Sequence, residues 1–219
     1  QSTYCARMDP TDPNQLASLA SLFQQTLNPE QRKPAEDQIG QLQAQPRFGF
    51  LLLALVQSES TSTAIRLASA IQFKNLCKTR WNVDAETEDP VFSAISDDEK
   101  QAIRQQLVPV LVSLASASTP SQAILSQMNE SVALVASSDF PEAWPALIDE
   151  LVSQLSTDNH HVLLSVLATS HAIFKQWRSQ FRSDALYSEI NLVLGKMANP
   201  LLELLQRMHG MLPVSYTHL

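Results

Sequence analysis

The chain has 219 residues and carries 15 Lys and Arg against 22 Asp and Glu, a formal charge of −7. A general nucleic-acid-binding role therefore has no electrostatic support, whereas a basic protein partner is easier to accommodate. Two cysteines are too few for a disulfide framework or a cysteine-built zinc centre, and no stretch is long and apolar enough to span a membrane.

The long patterned segments are rich in Leu, Ala, Gln, Glu and Arg, and strictly alternating β-branched runs are missing, so the expected elements are helices. The first runs from Asn14 to Leu27 with Leu16, Leu19, Ala20 and Phe23 on one face, and Pro29 introduces a second ending near Leu42. Arg47 to Gln57 carries an apolar block from Phe50 to Val56, and Ser62 to Arg80 follows a Ser- and Thr-rich turn. In that fourth helix Ala64, Leu67, Ala68 and Ile71 mark one face and Ala70, Phe73 and Cys77 an adjacent one, as a helix packed on two sides requires. Asn75 is expected to enter the seam and hydrogen-bond a neighbouring backbone. Lys74 is either a partner contact or an ordinary solvated cation.

An acidic linker with Asp84, Glu86, Glu88 and Asp89 comes next. Ser96 and Glu99 have the spacing of a capping box at the start of a helix from Asp97 to Ala117, so the acids are either a solvated linker and cap or a contribution to a basic partner. Ser121 to Ser137, Pro141 to Leu155, Asn159 to about Gln180 and Asp184 to Met208 complete the series. Most prolines, including Pro46, Pro109, Pro120, Pro141 and Pro200, are expected near helix ends. At the run from Asp139 to Pro145, Pro141 opens a helix, Pro145 lies within its first turn, Asp139 caps it, and Phe140 and Trp144 anchor the corner. Successive helices pair into units of roughly forty residues, the period of two-helix solenoid repeats.

The chemistry-bearing patterns are absent. Gly40, Gly49, Gly195 and Gly210 are isolated, His160, His161 and His171 form no HExxH motif, and no serine lies in a GxSxG elbow. A scaffold without catalytic, cofactor or metal residues is the expectation. Asn129-Glu130-Ser131 fits a glycosylation triplet but reads as a helix segment. In the cluster around Trp177, Phe174, Trp177 and Phe181 mark an apolar side, and Lys175, Arg178 and Arg182 a basic side that offers a surface to an acidic polypeptide.

The ordered set Arg66-Leu67-Ala68, Phe73-Lys74-Asn75, Trp81, Asp139 to Pro145 and Ile173 to Arg178 resembles the amino-terminal region of importin-beta-type transport receptors. With Phe181 to Asp184 added, the closing segment is most similar to the branch that exports importin-alpha. The resemblance covers residues 9–208 and implies an all-α HEAT-repeat solenoid of about four antiparallel helix pairs plus the start of a fifth. It sets apart residues 1–8 as extraneous or flexible and 209–219 as an atypical tail or fragment junction. It further implies a non-catalytic receptor, without cofactor, that binds the GTP form of the small GTPase Ran together with importin-alpha. Contacts to nuclear pore proteins and shuttling between nucleus and cytoplasm would accompany that role. Ran-binding candidates on the second helices are Arg32, Asp37, Arg66, Lys74 and Lys78. Phe73, Asn75, Asp139, Phe140, Pro141, Trp144, Pro145 and Trp177 are read as packing positions. The alternatives are a general helical-repeat scaffold and an import receptor of the same superfamily.

Overall fold

The computed structural model describes residues 8–83, 94–155 and 159–211; the acidic linker lies outside them. Among these residues there is no strand, and the helices are α1 (Pro13–Thr26), α2 (Arg32–Gln43), α3 (Phe48–Gln57), α4 (Thr63–Arg80), α5 (Asp97–Ala115), α6 (Gln122–Asp139), α7 (Leu147–Ser153), α8 (His160–Trp177) and α9 (Asp184–Met211). Local chemistry sets several starts. Asp12, Ser62, Ser96 and Asn159 each accept a hydrogen bond from an otherwise unpaired amide of the first turn.

The helices form a two-layer, all-α solenoid of helix pairs. One layer runs α1–α3–α5–α7–α9 and the other α4–α6–α8, while α2 packs principally on α1. The first three pairs are side by side as expected. The fourth departs from expectation, because α7 packs on α9 and α5, and α8 takes its contacts from α6 and α5. With only seven residues, α7 is too short to cover the length of α8.

The core follows the apolar faces. Almost every residue of α3 is buried, since α1, α4 and α5 surround it. Phe48, Leu52, Leu53, Leu55 and Phe73 are essentially inaccessible, and each such side chain contributes roughly 1.5–3 kcal/mol on burial. Gly49 lets the layers close. A Cβ there would lie 3.2 Å from Ile103 Cδ1 and 3.4 Å from Leu76 Cδ2, so a larger residue would push α5 and α4 away.

Three local expectations are corrected. Pro109 and Pro200 lie inside α5 and α9 instead of near their ends. Pro109 is tolerated because both it and Gln105, whose carbonyl loses its helical donor, face solvent. The corner after α6 also differs: α7 begins at Leu147, so Pro141 and Pro145 precede the helix, and Asp139 is the last residue of α6. Its main-chain carbonyl accepts from the amides of Ala143 and Trp144 at 2.7 and 2.8 Å, which closes the turn that a proline-opened helix was expected to make. Phe140 and Trp144 are buried anchors, as expected. Only half of the expected capping box forms. Ser96 accepts from the Glu99 amide, but the Glu99 carboxylate reaches across to accept from the Arg47 amide at 3.0 Å. That bond holds Arg47 at φ 67°, a left-handed conformation that few non-glycine residues adopt, with its guanidinium 5.7 Å from the Phe50 ring centre.

Candidate partner-binding surface

The layer α4–α6–α8 leaves one stripe of each helix open. On α4 the exposed residues Ala64, Ile71, Asn75 and Lys78 recur at helical spacing, and on α8 Leu164, Ala168, His171 and Lys175 do the same. Between them α6 presents Ser126 and Glu130. This is a polar surface with isolated apolar points, suited to a protein partner and carrying no convergent catalytic group. Among the described residues no group of three or more His, Cys, Asp or Glu is arranged to hold a metal, and no helix is long and apolar enough to cross a membrane.

The three candidate cations of α4 have different fates. Arg66 donates through Nε to the Val56 carbonyl at 2.8 Å and so ties α4 to the end of α3. Lys74 pairs with Glu130 at 3.0 Å across the α4–α6 seam. Lys78 is exposed, with no acidic partner among the described residues. On α2, Arg32 donates to the Thr26 carbonyl at 3.0 Å, and Asp37 pairs with Lys33 at 3.3 Å. Because α2 packs on α1, Arg32 and Asp37 do not join the α4 cations through direct helix packing.

Asn75 does not enter the seam: its side chain is exposed, and Phe73, Leu76 and Cys77 occupy the buried faces of α4. The seam amide is Asn129. Its Oδ1 accepts from Ser165 Oγ at 3.2 Å and Thr169 Oγ1 at 2.9 Å, joining α6 to α8. Gln176 adds a bond from Nε2 to the Ala133 carbonyl at 3.0 Å. The signal for Asn129 was present, since it falls four residues after Leu125 and three before Val132, both buried.

A charged network closes the other flank of α6. Trp81 Nε1 donates to Asp139 Oδ1 at 3.0 Å, while Arg104 of α5 pairs with Asp139 Oδ2. Lys100 lies 6.0 Å from the Trp81 ring centre. Nearby, the buried Arg80 guanidinium has its pKa lowered by desolvation, an effect opposed by Glu99. Burial likewise pushes the Cys77 thiol far above its ordinary value, so it is an inert packing residue. Burial also raises the Glu150 carboxyl, against a smaller opposing hydrogen bond from Trp144.

The cluster at the end of α8 is split. The helix stops at Trp177, so Lys175, Arg178 and Arg182 do not share one helical side; all three are exposed. Phe174 and Trp177 stack with centroids 4.9 Å apart and are half-buried, and Trp177 Nε1 donates to Glu189 Oε1 at 2.8 Å. Phe181, expected on the apolar side, is 89% exposed.

Comparison with known proteins gives two matches in chain order. The importin-beta N-terminal domain family matches residues 35–113, and the Cse1 family matches residues 173–217, which includes most of the stretch 209–219 expected to be an atypical tail. Exportin-2 of Drosophila melanogaster is 35% identical over 201 residues, 91% of this chain and 20% of that protein. The importin alpha re-exporter of Saccharomyces cerevisiae is 36% identical over 191 residues, 87% of this chain and 19% of its own length. A solved structure of the exportin Cse1 in its cargo-free, cytoplasmic state superposes with a TM-score of 0.76 at 33% identity, covering 88% of this chain and 20% of that one. The chain thus spans about a fifth of the length of these relatives.

Proposed function

Since the chain belongs to the importin-beta, or karyopherin, superfamily with Cse1-like domain architecture, we propose that it is the amino-terminal part of a nuclear export receptor for importin-alpha. The carrying observation is the order of the two family segments along one continuous helical stack, the general importin-beta segment first and the Cse1 segment after it. In this reading the open stripes of α4 and α6 meet the GTP form of the small GTPase Ran, with Lys78 and the Lys74–Glu130 pair as polar contacts. Importin-alpha joins as cargo, and the complex shuttles between nucleus and cytoplasm through contacts with nuclear pore proteins. The receptor performs no covalent chemistry. Small changes in the angle between adjacent helix pairs add along a solenoid, so partner binding reshapes a distant surface.

The test is calorimetric titration of the chain with Ran loaded with a non-hydrolysable GTP analogue, in parallel with Ran loaded with GDP. The reading expects a marked preference for the GTP form and recruitment of importin-alpha by the resulting complex. Equal affinity for both forms counts against a transport receptor, and a GTP preference without importin-alpha recruitment by the full-length receptor favours an import receptor. If this chain binds neither form, the same titration on the full-length receptor decides between missing repeats and a wrong reading. Solution scattering of the full-length receptor, with Ran's contribution subtracted, should change on Ran binding.

A further inference from the structure

We propose that the loop joining α8 to α9, residues 178–183, is a docking knuckle for an acidic polypeptide segment, with Phe181 as its apolar anchor and Lys175, Arg178 and Arg182 as its carboxylate partners. Between residues 173 and 183 there are three cations and no acid, on a chain whose formal charge is −7. Elsewhere Lys33, Lys74, Lys100, Arg104, Lys196 and Arg207 form ion pairs, Arg32 and Arg66 donate to main-chain carbonyls, and Lys78 is a single exposed cation without an acid among the described residues. Lys175, Arg178 and Arg182 form none among the described residues, and all three side chains are exposed. Asp184 follows directly and Glu189 is engaged by the Trp177 indole, so the three cations keep their donors open to the carboxylates of a partner.

The loop is held in shape. The amides of Arg178, Ser179 and Gln180 donate to the carbonyls of Lys175, Gln176 and Trp177 at 3.3, 3.1 and 3.3 Å. On the far side Ser183 Oγ accepts from the Leu186 amide at 3.2 Å, and the Trp177–Glu189 bond clamps the two helices. Phe181 stands out from this frame at 89% exposure, well beyond Leu205 at 62%, the next most exposed large apolar side chain among the described residues. An aromatic ring presented on an ordered loop among cations loses little entropy on binding and can anchor an interface.

A groove of about 390 Å³ opens beside the loop, lined among others by Phe140, Pro141, Gln180 and Leu192, with Glu142 and Glu189 on its wall. Its apolar lining offers a place for an apolar side chain of a polypeptide seated on the loop. A nucleic acid carries a charge at every residue and would meet those two glutamates, whereas a peptide can alternate its acids with apolar residues, which favours a peptide. This inference does not rest on Ran binding and is tested apart from it.

The experiment uses the whole chain, a fluorescein-labelled peptide Gly-Glu-Asp-Leu-Glu-Phe-Glu-Asp-Gly, its counterpart with every acid replaced by Lys, and a labelled single-stranded oligonucleotide. Fluorescence polarisation at low salt should show saturable binding of the acidic peptide alone, weakening as added salt shortens the Debye length. Arg178→Glu with Arg182→Glu should weaken it about tenfold or more and Phe181→Ala about fivefold, while Arg207→Glu leaves it within about twofold. Circular dichroism checks that each variant retains its helices. Absence of saturable peptide binding overturns the proposal, as does an Arg178→Glu/Arg182→Glu variant that binds like Arg207→Glu. Phe181→Ala binding at parental strength removes the anchor and overturns it too, and an oligonucleotide that binds more tightly than the peptide assigns the loop to nucleic acid instead.

Discussion

Helix α6 is flanked by two seams of opposite character. Toward α8 the polar contacts are neutral, made by Asn129 with Ser165 and Thr169 and by Gln176 with a carbonyl. At its C-terminal end, toward α4 and α5, the contact is ionic, with the buried Asp139 carboxylate held between the Trp81 indole and the Arg104 guanidinium. The difference lies in what happens when a partner is lost. A neutral seam loses a bond of modest net worth, whereas an ionic one strands a charge away from water. The end of α6, where the chain turns through Phe140 and Trp144, is therefore the junction that tolerates loss of a partner least.

The comparison is broken or sharpened by four substitutions. Asp139→Ala leaves Arg104 without its acid and should destabilise the chain by about 3–5 kcal/mol, read from urea unfolding. A loss below about 1 kcal/mol would mean that water replaces the carboxylate and that the ionic seam is ordinary. Trp81→Phe keeps most of the ring but removes the indole donor, with an expected loss of about 1–2 kcal/mol in the same measurement. Asn129→Ala should cost about 0.5–1.5 kcal/mol, because the single Thr169 hydroxyl proton, shared between Asn129 and the Ser165 carbonyl, can turn wholly to that carbonyl. If it matches Asp139→Ala, the two seams are energetically alike and the contrast fails.

The smallest effect concerns Glu150, whose Oε2 is buried without a hydrogen-bond partner. Its folded pKa is raised from the ordinary 4.5, chiefly by burial, so the native state binds a proton more readily than the unfolded chain. The sign follows: this group's contribution improves as pH falls through the raised folded value and is least favourable at neutral pH. Glu150→Gln should raise Tm at pH 7, with the gain shrinking toward pH 4.5. Thermal scans across that range check it, and a gain that is unchanged by pH would rule out the carboxylate as the cause.

Much of the architecture was legible in one dimension because helices advertise themselves locally. The apolar spacing from Leu16 to Phe23, the block from Phe50 to Val56 and the cap at Ser96 depend on neighbours within one or two turns. The same locality explains the errors. Asp139 and Glu99 have the spacing of caps, yet their carboxylates go to Trp81, Arg104 and the Arg47 amide, partners 35 to 58 residues away. Asn75 and Asn129 both lie at helical spacing from apolar residues, and only the way α4 and α6 rotate against their neighbours places one in solvent and the other in the seam.

For the candidate surfaces the division is similar. The motifs around Phe73, Trp144 and Trp177 were enough to point to the family, since they are contiguous in the chain. They did not reveal that Lys74 is paired with Glu130, that Arg66 is tied to α3, or that Phe181 projects into solvent instead of joining the apolar side with Phe174 and Trp177. By itself the sequence determined helix content, approximate helix limits and the repeat period, because backbone hydrogen bonding and amphipathic spacing act over a few residues. Only the tertiary structure decided which charges are satisfied and which remain open to a partner, because Coulomb and hydrogen-bond energies depend on distances between helices that chain order does not specify.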